Sequence, residues 1–152
     1  MITNVLVVCR GNVYRSPIAE ALFRNALPDC DIRSAGLQAA IGARPSRALR
    51  TLLTSRRLSR SIWSPWQLGR SDVTRADLLL VMETAQKREL EHCFPSSVGK
   101  TFLLGESIGA DIADPGGGGP EVLERCYAQI EPCVRAWASR ICAVNEGCAY
   151  HG

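Results

Sequence analysis

The stretch Val5-Leu6-Val7-Val8-Cys9-Arg10-Gly11-Asn12-Val13-Tyr14-Arg15-Ser16-Pro17 decides how the rest of this chain is read. Four consecutive apolar residues predict a strand buried on both faces, as in a parallel sheet. A short loop holding Gly11 and Asn12 follows Cys9. Ser16-Pro17 then predicts a helix start, with serine as the cap and proline at the first helical position. Strand, tight loop and helix N-terminus together form an anion cradle, because free backbone N–H groups converge there and the helix dipole adds partial positive charge.

A cysteine changes character in such a cradle. A free thiol with pKa near 8.5 is only about 3% thiolate at neutral pH, and helix N-termini or neighbouring cations raise that fraction. Ser16 is placed to donate a hydrogen bond to the sulfur. Arg15, six positions beyond Cys9, is a planar fork of donors that suits two oxygens of a phosphate. The loop residues Arg10, Gly11, Asn12, Val13 and Tyr14 would supply the cradle, with Asn12 supporting it through side-chain hydrogen bonds and a left-handed backbone. Nucleophile, oxyanion cradle and bidentate arginine describe phosphoryl transfer to sulfur. The competing reading is a small core cysteine ending a strand, beside an arginine on a solvated loop.

At 152 residues the chain is expected to form one domain, 1–152, able to bury a core without staples. A net charge of +3 argues for no nucleic-acid partner. Arg44, Arg47, Arg50, Arg56, Arg57 and Arg60 cluster in one segment, which reads as a solvated helix face. Seven cysteines without a C-x-x-C pair or a Cys/His ligand spacing predict a reduced cytoplasmic protein with no structural metal. No apolar run has the length of a signal peptide or a membrane span.

Along the chain, the pattern predicts a first helix over 17–27, with Ile18, Ala21, Leu22 and Asn25 facing inward. A short strand over 31–34, a second helix over 47–57 and a strong strand over 77–83 follow. Thr84 is read as the cap of a helix over 84–92, and 100–104 as a fourth strand. Pro120 opens a last helix, with Leu123, Cys126, Tyr127, Ile130, Val134, Trp137 and Ile141 at three- and four-residue steps. Pro132 predicts a kink or short break near 128–132, and the tail beyond Val144 is expected to fray. Trp63 and Trp66 are read as core aromatics. The rhythm is that of right-handed βαβ units: an α/β fold with an open parallel four-stranded sheet, helices on both faces and a phosphate-binding loop after strand 1. Ligands bind such sheets beyond the C-terminal strand ends, where Cys9 would sit.

Cys9-Arg10-Gly11-Asn12-Val13-Tyr14-Arg15-Ser16-Pro17-Ile18-Ala19-Glu20 resembles the signature of the low-molecular-weight protein tyrosine phosphatases. The resemblance implies a catalytic trio of Cys9, Arg15 and Asp114, the last as general acid in an Asp114-Pro115 pair ahead of the final helix. Asp111 is its local rival, and the plain reading of Asp114 is the start of a turn. Leu37, Gln38 and Ile41, after the Ser34-Ala35-Gly36 turn, would line the pocket mouth, with Pro115 and Gly116 forming wall. Neither cofactor nor metal is implied. The runs 99–105 and 111–115 resemble the bacterial branch, whose members act on tyrosine autokinases controlling capsule or exopolysaccharide export. Oligomeric state and physiological substrate are not legible.

Two departures from the family pattern stand out. Tyr14 occupies a place where many members carry a second cysteine, so Cys9 lacks the usual disulfide partner within its loop. Gly116 to Gly119 replace the aromatic that often follows Asp-Pro, which predicts a mobile acid loop and weaker binding of small aryl phosphates. Alternatives are an arsenate reductase of the same fold, which needs cysteine relays that Cys93 lacks within ten residues, a phosphoarginine phosphatase, or a non-catalytic phosphotyrosine binder. Val13, where arginine-specific members tend to carry Thr, favours phosphotyrosine. Cys30, Cys126, Cys133 and Cys142 read as packing residues.

Overall fold

The computed structural model describes residues 1–58, 64–117 and 119–149, with 148 and 149 described by backbone alone. Trp63 and Arg60 lie outside the described residues. The elements run β1 (Asn4–Cys9), α1 (Arg15–Ala26), β2 (Asp31–Gly36), α2 (Arg47–Ser55), α3 (Arg70–Arg75), β3 (Leu78–Val81), α4 (Thr84–Cys93), β4 (Thr101–Leu103) and α5 (Pro120–Ala149). Short 3-10 turns at Pro95–Ser97 and Leu104–Ile108 flank β4.

All strand pairings are parallel, in the order β2-β1-β3-β4. The chain leaves β1 toward β2 on one side and returns to β3 on the other. The C-terminal end of β1 is therefore the switch point, where an open α/β sheet leaves a crevice, and Cys9 is its last residue. Strand alternation divides the core. Val5, Val7 and Cys9 pack with Ile18 and Phe23 of α1, Leu49 and Leu52 of α2, and Leu123, Ile130 and Ile141 of α5. Leu6 and Val8 face the opposite layer, with Val73 of α3 and Leu90 of α4. Helices cover both faces, as the apolar strand runs required.

Several boundaries and faces differ from expectation for identifiable reasons. Helix α1 begins at Arg15 with Tyr14 in the cap position and no side-chain cap, so Ser16 is not the cap. Its hydroxyl is engaged by Cys9 and Asn12 instead. Phe23 fills the inward face and Asn25 is exposed. β2 extends to Gly36, because its pairing with β1 continues through Cys9↔Gly36. α2 ends at Ser55, and α3 was not foreseen. Asp77 lies before β3, its carboxylate accepting from the backbone N–H of Thr3 and Asn4; those bonds hold its pKa below the usual range. Glu83 precedes α4 and Thr84 is its first residue; the Thr84 hydroxyl donates to Asp111.

α5 is assigned helical without interruption through Pro132, so the expected break is absent. Beyond Val144 the helix continues, and Asn145 exchanges two hydrogen bonds with the backbone of Ile2 (2.7 and 2.9 Å). Anchoring of this kind holds the helix at Asn145; residues 150–152 of the tail expected to fray lie outside the described residues. Trp66 is 59% exposed rather than core. Cys126 and Cys133 are buried as read, Cys30 is half-buried, and Cys142 is exposed.

Glu20 is buried on α1 beside Arg24 (3.6 Å), and desolvation raises its pKa against the opposing bonds from Ser34. A carboxyl with a raised folded-state pKa contributes stability below its unfolded value, and that contribution is lost as pH rises through the folded value. Glu20→Gln should therefore gain melting temperature relative to wild type as pH goes from 4 to 7.5, by about 2–4 °C for each kcal/mol of relieved desolvation. Thermal unfolding at the two pH values checks it; a difference that shrinks with rising pH would contradict the assignment.

Candidate active site

Between β1 and α1 the backbone is turned inside out. The carbonyls of Cys9, Arg10 and Gly11 point away from the crevice and accept from the N–H groups of Leu37, Gln38 and Ala40 (2.9, 2.8 and 3.0 Å). The N–H groups of Gly11, Val13, Tyr14, Arg15 and Ser16 have no acceptor among the described residues. Asn12 makes the reversal possible, with φ at 58°, in the left-handed region that asparagine tolerates better than most residues. Its own N–H donates to the Cys9 sulfur at 3.2 Å.

The Asn12 side chain organises a directed network. Its Oδ1 accepts from the backbone N–H of Trp66 (2.9 Å), which fixes the amide orientation. Its Nδ2 donates to Ser16 Oγ (2.7 Å) and Ser34 Oγ (3.0 Å). With Ser16 Oγ already accepting, its proton is available to Cys9 Sγ, 2.9 Å away. The buried sulfur thus receives two hydrogen bonds, from Ser16 and the Asn12 N–H.

Arg15 is only 2% exposed. One guanidinium nitrogen, Nη1, donates to Glu83 Oε1 (2.6 Å) and the Ile112 carbonyl (2.8 Å). Nη2 lies 3.8 Å from Asp114 Oδ2. The buried cation is compensated on one edge, while Nε and Nη2 make no hydrogen bond among the described residues. That leaves a fork for an oxyanion. Arg10, by contrast, turns outward into a paired contact with Glu89 (3.0 and 2.6 Å), so it serves the cradle through its backbone.

Asp114 is more than half exposed at the crevice, while its Oδ1 accepts from the Gly116 N–H (2.9 Å). The turn reading of Asp114 is met by that bond, and its Oδ2 faces Arg15. Asp111 is committed elsewhere, its Oδ1 accepting from the N–H and hydroxyl of Thr84 (3.1 and 2.9 Å) at the start of α4. Gly116 and Gly117 occupy positive φ (67° and 71°), a conformation glycine adopts without strain. Leu37 and Gln38 hang on the cradle through their N–H groups, whereas the Ile41 side chain is 69% exposed. Cys126 shares the core cluster with Cys9, and burial pushes its thiol up to about 11.

Sequence reasoning missed Glu83, Ser34 and Gly36. Glu83 closes a strand and gives no local signal of reaching Arg15, 68 positions away. Gly36 is needed because any Cβ there would stand 2.8 Å from the Arg10 carbonyl oxygen and 3.1 Å from the Asn12 nitrogen. Among the described residues no group of three His, Cys, Asp or Glu side chains could hold a metal ion, and no helix is long and apolar enough to cross a membrane.

A family model described as low molecular weight phosphotyrosine protein phosphatase matches residues 4–146. Among curated relatives, the probable low molecular weight protein-tyrosine-phosphatase EpsP of Ralstonia solanacearum is 42% identical over 145 residues, covering 95% of this chain and all of its own. Among solved structures, the tyrosine phosphatase Wzb from Escherichia coli K30 in complex with sulphate superposes with a TM-score of 0.87 at 30% identity, covering 93% of this chain and 99% of that one. The YwlE arginine phosphatase from Geobacillus stearothermophilus gives the same TM-score and identity, over 95% and 96%.

Because the loop leans on Gly36, Gly36→Ala is expected to weaken the binding of inorganic phosphate about tenfold or more, in line with overpacking costs of about 1–3 kcal/mol. Isothermal titration measures this, and unchanged affinity would show that the loop yields.

Proposed function

The chain belongs to the low molecular weight phosphotyrosine protein phosphatase family, and from that premise we propose that it hydrolyses protein phosphotyrosine through a phosphocysteine intermediate. The observation that carries the mechanism is a buried sulfur taking hydrogen bonds from Ser16 and the Asn12 N–H, at the centre of a loop whose remaining N–H groups are unpaired. Such a site is pre-organised for the trigonal-bipyramidal charge of a transferring phosphoryl group.

In the first step the Cys9 sulfur attacks phosphorus in line with the departing aryl oxygen. The S–P bond forms as the P–O bond breaks, and Asp114 gives its proton to the phenolic oxygen. Arg15 and the loop amides hold the equatorial oxygens throughout. In the second step a water oxygen attacks phosphorus, its proton passes to Asp114, the S–P bond breaks and inorganic phosphate leaves. The step needs no group beyond these side chains and water.

Glu83 and the Ile112 carbonyl act as positioning groups: they hold Arg15 by one edge, so the other edge meets the phosphate with little entropy to lose. By likeness to the bacterial branch, the substrate is a tyrosine autokinase of exopolysaccharide export, met in the cytoplasm. An arginine-specific reading is raised by the superposition on an arginine phosphatase. Val13, half-buried in the cradle, favours the phosphotyrosine reading instead.

Activity on p-nitrophenyl phosphate should vanish in Cys9→Ser and fall by about 10² or more in Asp114→Asn. Rapid quenching should trap phosphate on Cys9, and phosphotyrosine should outpace phosphoarginine; the reverse order would assign the chain to the arginine-specific members. With glycines in place of an aromatic after Asp114-Pro115, the Michaelis constant for small aryl phosphates should exceed that of a relative bearing tyrosine there. A lower value would overturn that expectation.

A further inference from the structure

The forty residues from Ile32 to Ser71 carry eight arginines and no acid. Ten basic residues lie outside this segment, against all fifteen acids, so the rest of the chain is net negative. The charge is thus strongly segregated although the total is small. Within the segment, Arg44, Arg47, Arg50 and Arg57 are exposed, and their side chains make no ion pair or hydrogen bond among the described residues. Arg33 pairs with Asp31 at the start of β2 (3.4 Å), and Arg56 is engaged as well. It pairs with Glu124 at 2.6 Å and lies over the Tyr127 ring at 4.8 Å, which ties α2 to α5.

Arg47 and Arg50 lie on one side of α2, with Arg44 in the loop before it and Arg57 just past its end. Leu49 and Leu52 turn into the core, while Arg47, Arg50, Thr54 and Arg57 succeed one another at three- and four-residue steps on the solvent side. Arg57 follows the helix with φ at 56°, a left-handed position that glycine would occupy at lower cost. The face also lies close to the cradle. Ala40 bonds the Gly11 carbonyl, and four residues of chain separate it from Arg44, at most about 14 Å. The same flank of α2 meets Pro120 and Glu124, where α5 emerges from the acid loop.

We infer that this outer face of α2 docks an acidic segment of the phosphorylated polypeptide substrate. The inference rests on the phosphatase reading above and adds what lies beyond the phosphotyrosine. Charge complementarity selects the occupant: four unpaired guanidinium groups, with no neighbouring carboxylate within the segment, attract Asp, Glu or further phosphorylated residues. Geometry sets the register. An extended peptide rises about 3.3 Å per residue, and the helical stripe is about 13 Å long. Acidic positions about four to eight residues from the phosphotyrosine therefore fall on it.

The test compares two phosphotyrosine peptides, one with Asp and Glu four to eight residues from the phosphotyrosine on both sides and one with Asn and Gln there, with p-nitrophenyl phosphate as the third substrate. Wild type should favour the acidic peptide about tenfold in kcat/KM at low salt, through KM, with the preference collapsing as salt rises. The combined variant R47E, R50E and R57E should lose the preference while keeping its p-nitrophenyl phosphate rate. R47Q with R50Q, checked by an unchanged melting temperature, serves if the triple variant does not fold. Equal rates on the two peptides in wild type, a preference that survives in the variants, or an equal fall on all three substrates would overturn the inference. So would retention of the protein on phosphatidylserine vesicles with no peptide preference, which would assign the face to lipid. A wild type inert toward p-nitrophenyl phosphate would instead sink the phosphatase reading, and anisotropy with the unphosphorylated acidic peptide would still test the docking face.

Discussion

Everything at the working end of this molecule depends on a loop that keeps its carbonyls out and its N–H groups in. Unpaired amides in a closed crevice are costly, because each gives up water without a replacement. The loop persists because the outward carbonyls are fully used by the 37–40 segment, so inverting any peptide would forfeit a strong bond to recover a weaker one. Asn12 locks the arrangement from beneath with three hydrogen bonds from one side chain, and its left-handed backbone supplies the bend. Affinity for an oxyanion is thus stored as unmet hydrogen-bonding demand, available without reorganisation when phosphate arrives.

The second constraint joins that loop to Asp114. Arg15 is held by Glu83, at the cap of α4, and by the carbonyl of Ile112. Ile112 is itself fixed by its N–H on the Met82 carbonyl (2.8 Å), and Asp111 is fixed by Thr84. Asp114 comes two residues beyond this anchored pair. Its placement therefore follows from the same contacts that orient the guanidinium, and the carboxyl and the phosphate fork keep a common frame. Substituting Glu83 would be felt at both.

What the sequence made legible were the features encoded locally. The apolar run of β1, the Gly-Asn turn and Arg15 at six positions from Cys9 carry their chemistry in their spacing, and they sit where expected. The amphipathic steps of α5 predicted its buried face for the same reason. Long-range partners were not legible. Nothing near Ser34 or Glu83 in sequence announces a bond to residues 22 or 68 positions distant. Ser16 looked like a cap because Ser-Pro usually is one, yet its hydroxyl was claimed by the sulfur and Asn12. Pro132 looked like a break because propensity is local, whereas one face of α5, from Leu123 to Ile141, is buried in the core and the packing carries it through.

The two departures from the family pattern also change meaning once they are neighbours. In sequence, Tyr14 is a missing cysteine and the glycine run is a missing aromatic, about a hundred positions apart. In space, a Cβ on Gly117 would stand 3.6 Å from the Tyr14 hydroxyl oxygen, and the Tyr14 ring packs against the core beneath. A loop cysteine would leave that volume open, and a side chain on the acid loop could occupy it. With tyrosine already there, the acid loop has to pass close over the phenol, and glycine in a left-handed conformation lets it do so. Gly117 is therefore better read as fitting the loop to its bulky neighbour than as mere slack, and the Asp114 turn bond to Gly116 is what that fit preserves.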